Sequence, residues 1–95
     1  MREIGFHVRG TGRVQGVGYR AFARTVARGL GLAGWVSNRP DGSVEVLAEG
    51  TPRALANLEA RLREGPPGAV VTAVARGDAA GEERFSPGDF EIRFG

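Results

Sequence analysis

The sequence predicts an α+β domain in which two helices cover one face of an antiparallel sheet. Two stretches carry apolar residues at helical spacing, and the stretches between them alternate apolar and polar residues as half-buried strands do. Glycine and proline clusters separate these stretches. The 95 residues suffice for one modest core, so we expect residues 1–95 to form a single domain.

The first strand and the first helix are separated by a short glycine-bearing loop. Residues 4–14 alternate, with Ile4 and Val8 on the apolar parity, which is typical of a strand with one buried face. From Arg20 the apolar period becomes helical, and the glycines at 29 and 31 indicate where this helix ends.

A hairpin and a second helix follow. Residues 33–38 and 43–49 read as strands around Arg39-Pro40-Asp41-Gly42, whose residue types favour a tight turn. Thr51 then offers an N-cap oxygen and Pro52 a preset first helical φ, and a leucine stripe continues to Glu64. The glycines and prolines of 65–68 end this helix.

Two further strands complete the order. Residues 70–75 form the fourth strand and residues 90–94 a short last one, with 77–88 as the segment that we expect to be a mobile loop. The order is β-α-β-β-α-β with an added C-terminal strand. It predicts a ferredoxin-like sandwich with both helices on one face of the sheet.

The amino-acid composition limits the kinds of catalytic site that the chain can form. The chain has no cysteine, which excludes disulfides and thiolate chemistry, and one histidine is too few for most zinc sites. We therefore predict metal-free chemistry without a cofactor. No apolar run approaches the roughly 20 residues of a membrane span, and no signal pattern begins the chain, so a cytoplasmic protein without membrane contact is expected.

The charge balance does not indicate a nucleic-acid partner. The 13 basic residues, all arginine, face 11 acidic ones for a formal net charge of +2, and the two signs are interspersed along the chain. A nucleic-acid footprint would be a large basic excess clustered on one face.

The run from Gly12 to Arg20 predicts an anion site. Unpaired N–H groups at a helix start carry partial positive charge, and small loop residues allow them to surround phosphate oxygens. Arg20 would add a planar fork suited to bidentate phosphate binding. The candidate phosphate-binding residues are Gln15, Gly16, Val17, Gly18, Tyr19 and Arg20.

Each candidate also has a plainer interpretation. The glycines could merely turn the chain, and Arg20 could be an ordinary surface cation, although the helix macrodipole disfavours a cation at that position. Asn38 ends a strand on the parity expected to meet the helices; it could initiate the following turn or hold a ligand. His7 falls on the opposite parity, so we expect no catalytic role for it.

Three motifs point to a known family. They are Val8-x-Gly10-x-Gly12-Arg13-Val14-Gln15-Gly16-Val17-Gly18-Tyr19-Arg20, Gly34-Trp35-Val36-Ser37-Asn38 and Asp41-Gly42-Ser43-Val44-Glu45. With these motifs the chain resembles the acylphosphatase family over nearly its whole length. The resemblance implies a hydrolase that cleaves the carboxyl–phosphate mixed anhydride of acyl phosphates. It implies that Arg20 and the loop amides bind the phosphoryl group and that Asn38 holds the attacking water. Tyr19 stands where many relatives carry phenylalanine.

Two other functions stay open at this point. The same loop could hold phosphate or a phosphorylated ligand without hydrolysing it. An RNA-binding sheet is the second alternative, but the outward parity of the first strand lacks the aromatic pair that stacks bases. We expect a monomer whose partner is a small acyl phosphate and not a nucleic acid.

Overall fold

The structure, a computed structural model, describes residues 2–10, 18–78, 85–86 and 88–94. In the order of the chain, its helices and strands are β1 (Arg2–Gly10), α1 (Tyr19–Gly29), β2 (Ala33–Asn38), β3 (Val44–Gly50), α2 (Pro52–Glu64), β4 (Val71–Asp78) and β5 (Phe90–Arg93).

The strands form one sheet in the order β4-β1-β3-β2-β5. Strand β1 pairs antiparallel with β3 and β4, and β2 pairs antiparallel with β3. Strand β5 lies beside β2 in parallel, so the added strand makes the sheet mixed. The predicted ferredoxin-like arrangement of elements is confirmed.

The core lies between the helices and one face of the sheet. Alternate residues of the central strands are buried there. Helix α1 contributes Tyr19, Ala23 and Ala27, which are four residues apart and so lie on one side of the helix. The two alanines allow α1 to lie close to the sheet, whereas α2 packs with the larger side chains of its leucine stripe. This packing fixes where the start of α1 lies relative to the ends of the strands.

Several boundaries differ from the sequence prediction. Strand β1 begins at Arg2, helix α1 begins at Tyr19, β3 spans Val44–Gly50 and β4 begins at Val71. Strand β4 runs to Asp78, so residues 77 and 78 belong to a strand and not to the predicted loop. They pair with Gly5 and Ile4 of β1, a long-range contact that the local residue types do not reveal. The last strand ends at Arg93. The second half of the predicted first strand, and most of the predicted mobile loop, lie outside the described residues.

In the described part of the chain, no helix is long and apolar enough to cross a membrane.

Candidate active site

Helix α1 begins with open backbone donors. Gly18 precedes the helix in the left-handed region, with φ 75° and ψ 27°, and no side chain of the described residues caps the helix start. The N–H of Phe22 donates to Gly18 O at 3.0 Å, so the N–H groups of Tyr19, Arg20 and Ala21 precede the helical ladder. The predicted loop residues Gln15, Gly16 and Val17 lie outside the described residues.

Tyr19 fixes the start of α1 to helix α2 through its buried side chain. Tyr19 is fully buried, and its hydroxyl donates to Leu62 O at 2.7 Å. That carbonyl lies in the last turn of α2, where helical carbonyls lack intrahelical partners. Burial raises the pKa of the Tyr19 phenol above its ordinary value. The ring therefore packs into the core, and only the backbone of Tyr19 can face an anion.

The guanidinium of Arg20 lies over an aromatic ring. Its Cζ is 4.6 Å from the centroid of the Phe94 ring. Several other arginines instead donate to carboxylates, as Arg39 does to Glu45 at 3.0 Å. Among the described residues, no such carboxylate is found at Arg20, so its hydrogen-bonding edge is available to a ligand.

Asn38 carries a buried and unsatisfied acceptor. It ends β2 opposite Val44, which in turn pairs with Val8, and both valines are fully buried on the helix side of the sheet. The Oδ1 atom of Asn38 is buried and finds no hydrogen-bond partner in the described part of the chain. A buried carbonyl oxygen of this kind is costly unless a water or ligand pairs with it.

The turn after Asn38 is held by other residues. Asp41 Oδ1 accepts from the Ser43 hydroxyl at 2.5 Å and from the Ser43 N–H at 2.9 Å. Arg39 N–H donates to Ser43 O at 2.8 Å. Among the described residues, the side chain of Asn38 takes part in none of the hydrogen bonds of this turn, which removes the main support for the interpretation that Asn38 initiates it.

Arg20 and Asn38 are brought to the same end of the sheet. In the parallel pair, Val36 lies beside Ile92. Ser37 lies beside Arg93 at the end of this pairing, so Asn38 and Phe94 are the residues that follow it on the two strands. Arg20 lies over the Phe94 ring. Two candidates that are far apart in the sequence therefore share one region on the helix side of the sheet.

His7 is occupied elsewhere. Its Nε2 lies 2.6 Å from the Ser43 hydroxyl, and because that hydroxyl donates its one proton to Asp41, Nε2 donates to Ser43. The hydrogen bonds from the Ser43 hydroxyl and N–H lower the pKa of Asp41. His7 lies on the sheet face away from Asn38, as its parity predicts; the absence of a catalytic role for it stays a prediction.

Within the described ranges, no group of three or more histidine and carboxylate side chains could hold a metal ion. Phe94 is the neighbour of Arg20 that sequence reasoning missed. Alternation placed Phe94 on the same face as Phe90 and Ile92. No residue pattern near Phe94 indicated that Arg20 of α1 would stack on its ring.

The acylphosphatase family profile matches residues 6–92. The chain belongs to the acylphosphatase family. It is 49% identical over 83 residues to the acylphosphatase of Nitratidesulfovibrio vulgaris, covering 87% of this chain and 83% of that protein. It is 56% identical over 71 residues to the acylphosphatase of Cupriavidus necator, covering 75% of this chain and 77% of the relative.

The solved structures agree with the assignment to the acylphosphatases. The crystal structure of acylphosphatase from Bacillus subtilis superposes with a TM-score of 0.88 at 39% identity, covering 98% of this chain and 99% of that one. The predicted family, fold and enzyme class are thus confirmed.

Proposed function

We propose that this chain hydrolyses the carboxyl–phosphate mixed anhydride of small acyl phosphates to a carboxylate and inorganic phosphate, without a metal ion or cofactor. The proposal rests on Arg20 and Asn38, which lie towards the same end of the sheet. Among the described residues, the N–H groups of the Arg20 guanidinium have no carboxylate partner, and the buried Oδ1 of Asn38 has no hydrogen-bond donor. The family supplies the reaction class.

In this mechanism the phosphoryl group binds at the start of α1. Arg20 donates two parallel hydrogen bonds to its oxygens, and backbone N–H groups of residues 15–20 surround the remaining ones. An acyl phosphate is already activated, so phosphoryl transfer needs positioning and charge stabilisation more than covalent chemistry. Both the loop amides and Arg20 supply that stabilisation as charge develops on the equatorial oxygens.

Asn38 orients the attacking water. Its buried Oδ1 accepts a hydrogen bond from the water. This hydrogen bond directs the lone pair of the water towards phosphorus, in line with the leaving carboxylate. His7 is not the general base of this mechanism, because its Nε2 is engaged with Ser43 on the other face of the sheet. A phosphate oxygen of the substrate then accepts the proton of the water.

We further propose that residues 1–95 form one domain that works as a monomer in the cytoplasm, without nucleic-acid or membrane partners. The shared core of both helices and the sheet supports a single domain. Sedimentation of the purified chain tests the oligomeric state.

The decisive experiment measures phosphate release from benzoyl phosphate in the presence of EDTA. We expect rapid turnover by the wild type and losses of about 100- to 1,000-fold in kcat for Arg20→Ala, since one preorganised donor is removed. Asn38→Ala should also lose most of its turnover. Asn57→Ala, which changes an exposed asparagine of α2, is the matched control and should keep full activity.

Other outcomes would contradict the proposal in distinct ways. A wild type that binds phosphate but turns over no acyl phosphate would be a phosphate-binding module. Activity that EDTA abolishes would contradict the metal-free mechanism. Near-normal turnover by Arg20→Ala would remove Arg20 from the site.

A further inference from the structure

We propose that Phe94 is a positioning residue for Arg20: its ring supports the flat face of the guanidinium and leaves the N–H edge to the phosphoryl group. The inference rests on the proposed role of Arg20. It concerns a residue at the end of β5 that the family motifs do not include.

The first support is the exposure of Phe94. Its side chain is 81% exposed, whereas Phe90 on the same parity of the last strand is fully buried. Burial in the core therefore does not explain the position of the Phe94 ring. The ring contact that the structure records for it is the Arg20 guanidinium, with Cζ 4.6 Å from the centroid. That distance lies within the range of a cation–π contact.

The second support is the geometry of a guanidinium. All of its N–H donors lie in one plane, so an aromatic ring against the face restrains the group without using a donor. A carboxylate partner would occupy the edge and compete with the substrate phosphate. Stacking on Phe94 thus restricts the rotamers of Arg20 before substrate arrives, and less ordering entropy is lost on binding.

Two other stacked arginines provide the contrast. Arg61 lies over Phe22 and Arg93 lies over Trp35, with Cζ 5.6 and 5.2 Å from the ring centroids. Both also place a guanidinium nitrogen near a glutamate, at 3.3 Å for Arg61 and 2.8 Å for Arg93. Among the described residues, Arg20 combines the shortest stacking distance with no such carboxylate.

The location of Phe94 agrees with this role. Ser37 lies beside Arg93 in the parallel pair of β2 and β5, and Asn38 and Phe94 are the next residues of the two segments. The ring that supports Arg20 therefore belongs to the same end of the sheet as the residue proposed to hold the water. Movement of Arg20 by an ångström relative to Asn38 would misalign phosphate and water.

The test uses the variants Phe94→Leu, Phe94→Tyr and Phe94→Trp, assayed for kcat and KM on both benzoyl phosphate and acetyl phosphate. Phe94→Leu should lower kcat/KM by about twofold to fivefold, the range that corresponds to the energy of a cation–π contact at an exposed site. The loss should be equal for the two substrates, and inhibition by inorganic phosphate should weaken with it. The two aromatic variants should restore wild-type values.

The matched control is Val70→Ala, which shortens the other large exposed hydrophobic of the described chain, 55% exposed. It should leave kcat/KM unchanged. Because Phe94 is outside the core, all variants should keep the wild-type circular dichroism and melting profile.

A double-mutant cycle separates this inference from the proposed function. In an Arg20→Ala background, Phe94→Leu should have no further effect, because the group that it positions is gone. A second, independent loss there would overturn the inference, as would a loss confined to benzoyl phosphate, which would place Phe94 against the acyl group. If Arg20→Ala is impaired and Phe94→Leu is not, the inference alone fails; if Arg20→Ala is unimpaired, the proposed function fails.

Discussion

Helix α2 begins behind Thr51, whose hydroxyl oxygen accepts a hydrogen bond from Ala54 N–H at 3.2 Å, whereas helix α1 begins behind Gly18, which has no side chain to offer. At α2 the first helical residue is Pro52, which has no N–H to satisfy. The chain therefore closes the start of α2 with its own residues. At α1 no side chain of the described residues caps the first three N–H groups, as a bound anion requires.

The arginines at these two helix starts show which signal matters. Arg20 and Arg53 both occupy the second helical position, where the macrodipole disfavours a cation. The placement of an arginine at a helix start therefore does not by itself indicate an anion site in this chain. The glycine before α1, the contact with Phe94 and the neighbouring Asn38 distinguish Arg20 from Arg53.

Replacing each of the two arginines by alanine in turn gives the largest expected difference in activity. Arg20→Ala should lower kcat by about 100- to 1,000-fold, whereas Arg53→Ala should leave it unchanged. Both variants remove a cation from a helix start, so each should change the free energy of unfolding by only about 0.5 kcal/mol. Steady-state kinetics and urea unfolding of the pair measure the two effects. Equal losses of activity would show that the helix starts do not differ.

Alkaline unfolding tests how α1 is held in place. The chain has one tyrosine, no cysteine and no lysine, so Tyr19 is the side chain that titrates between about pH 9 and 12 in the unfolded chain. Its pKa is raised in the folded state because the phenol is buried. The unfolded chain releases that proton first, so stability is complete below pH 10 and falls by roughly 1 kcal/mol for each pH unit above it.

The control for that experiment is Tyr19→Phe. It removes the titration, so its stability should be nearly constant over the same alkaline range. At neutral pH it should be about 1–2 kcal/mol less stable than the wild type, because Leu62 O loses its donor. Urea unfolding at several pH values compares the two proteins. Parallel loss of stability above pH 10 in both would show that another group is responsible.

Local signals in the sequence predicted most of the fold. The bounds of α2 follow from Thr51, Pro52 and the glycine at 65, each of which acts within a few residues. The end of β4 and the parallel pairing of β5 could not be predicted in the same way. Both depend on which distant strand lies alongside, and polar residues such as Arg76 and Asp78 extend β4 because β1 offers partners.

The candidate site was only partly predictable from the sequence. The parity of β2 placed Asn38 on the helix side, as the structure shows. The position of Arg20 followed from the change of period after the loop. The ring beneath Arg20 was not foreseen, since Phe94 approaches α1 only through the pairing of β5 with β2. The roles of these residues in catalysis, and those of Gln15, Gly16 and Val17, stay predictions.

The smallest expected effect comes from the closed helix start. Thr51→Ala removes the side-chain oxygen that caps α2 and should lower the free energy of unfolding by about 1 kcal/mol. Turnover of benzoyl phosphate should stay at the wild-type level, because the cap stabilises a helix start that binds no substrate. Thr51→Ser keeps an oxygen at the same place and should restore the stability. A loss of turnover in Thr51→Ala without a change in stability would mean that the start of α2 also serves the reaction, and the contrast between the two helices would no longer hold.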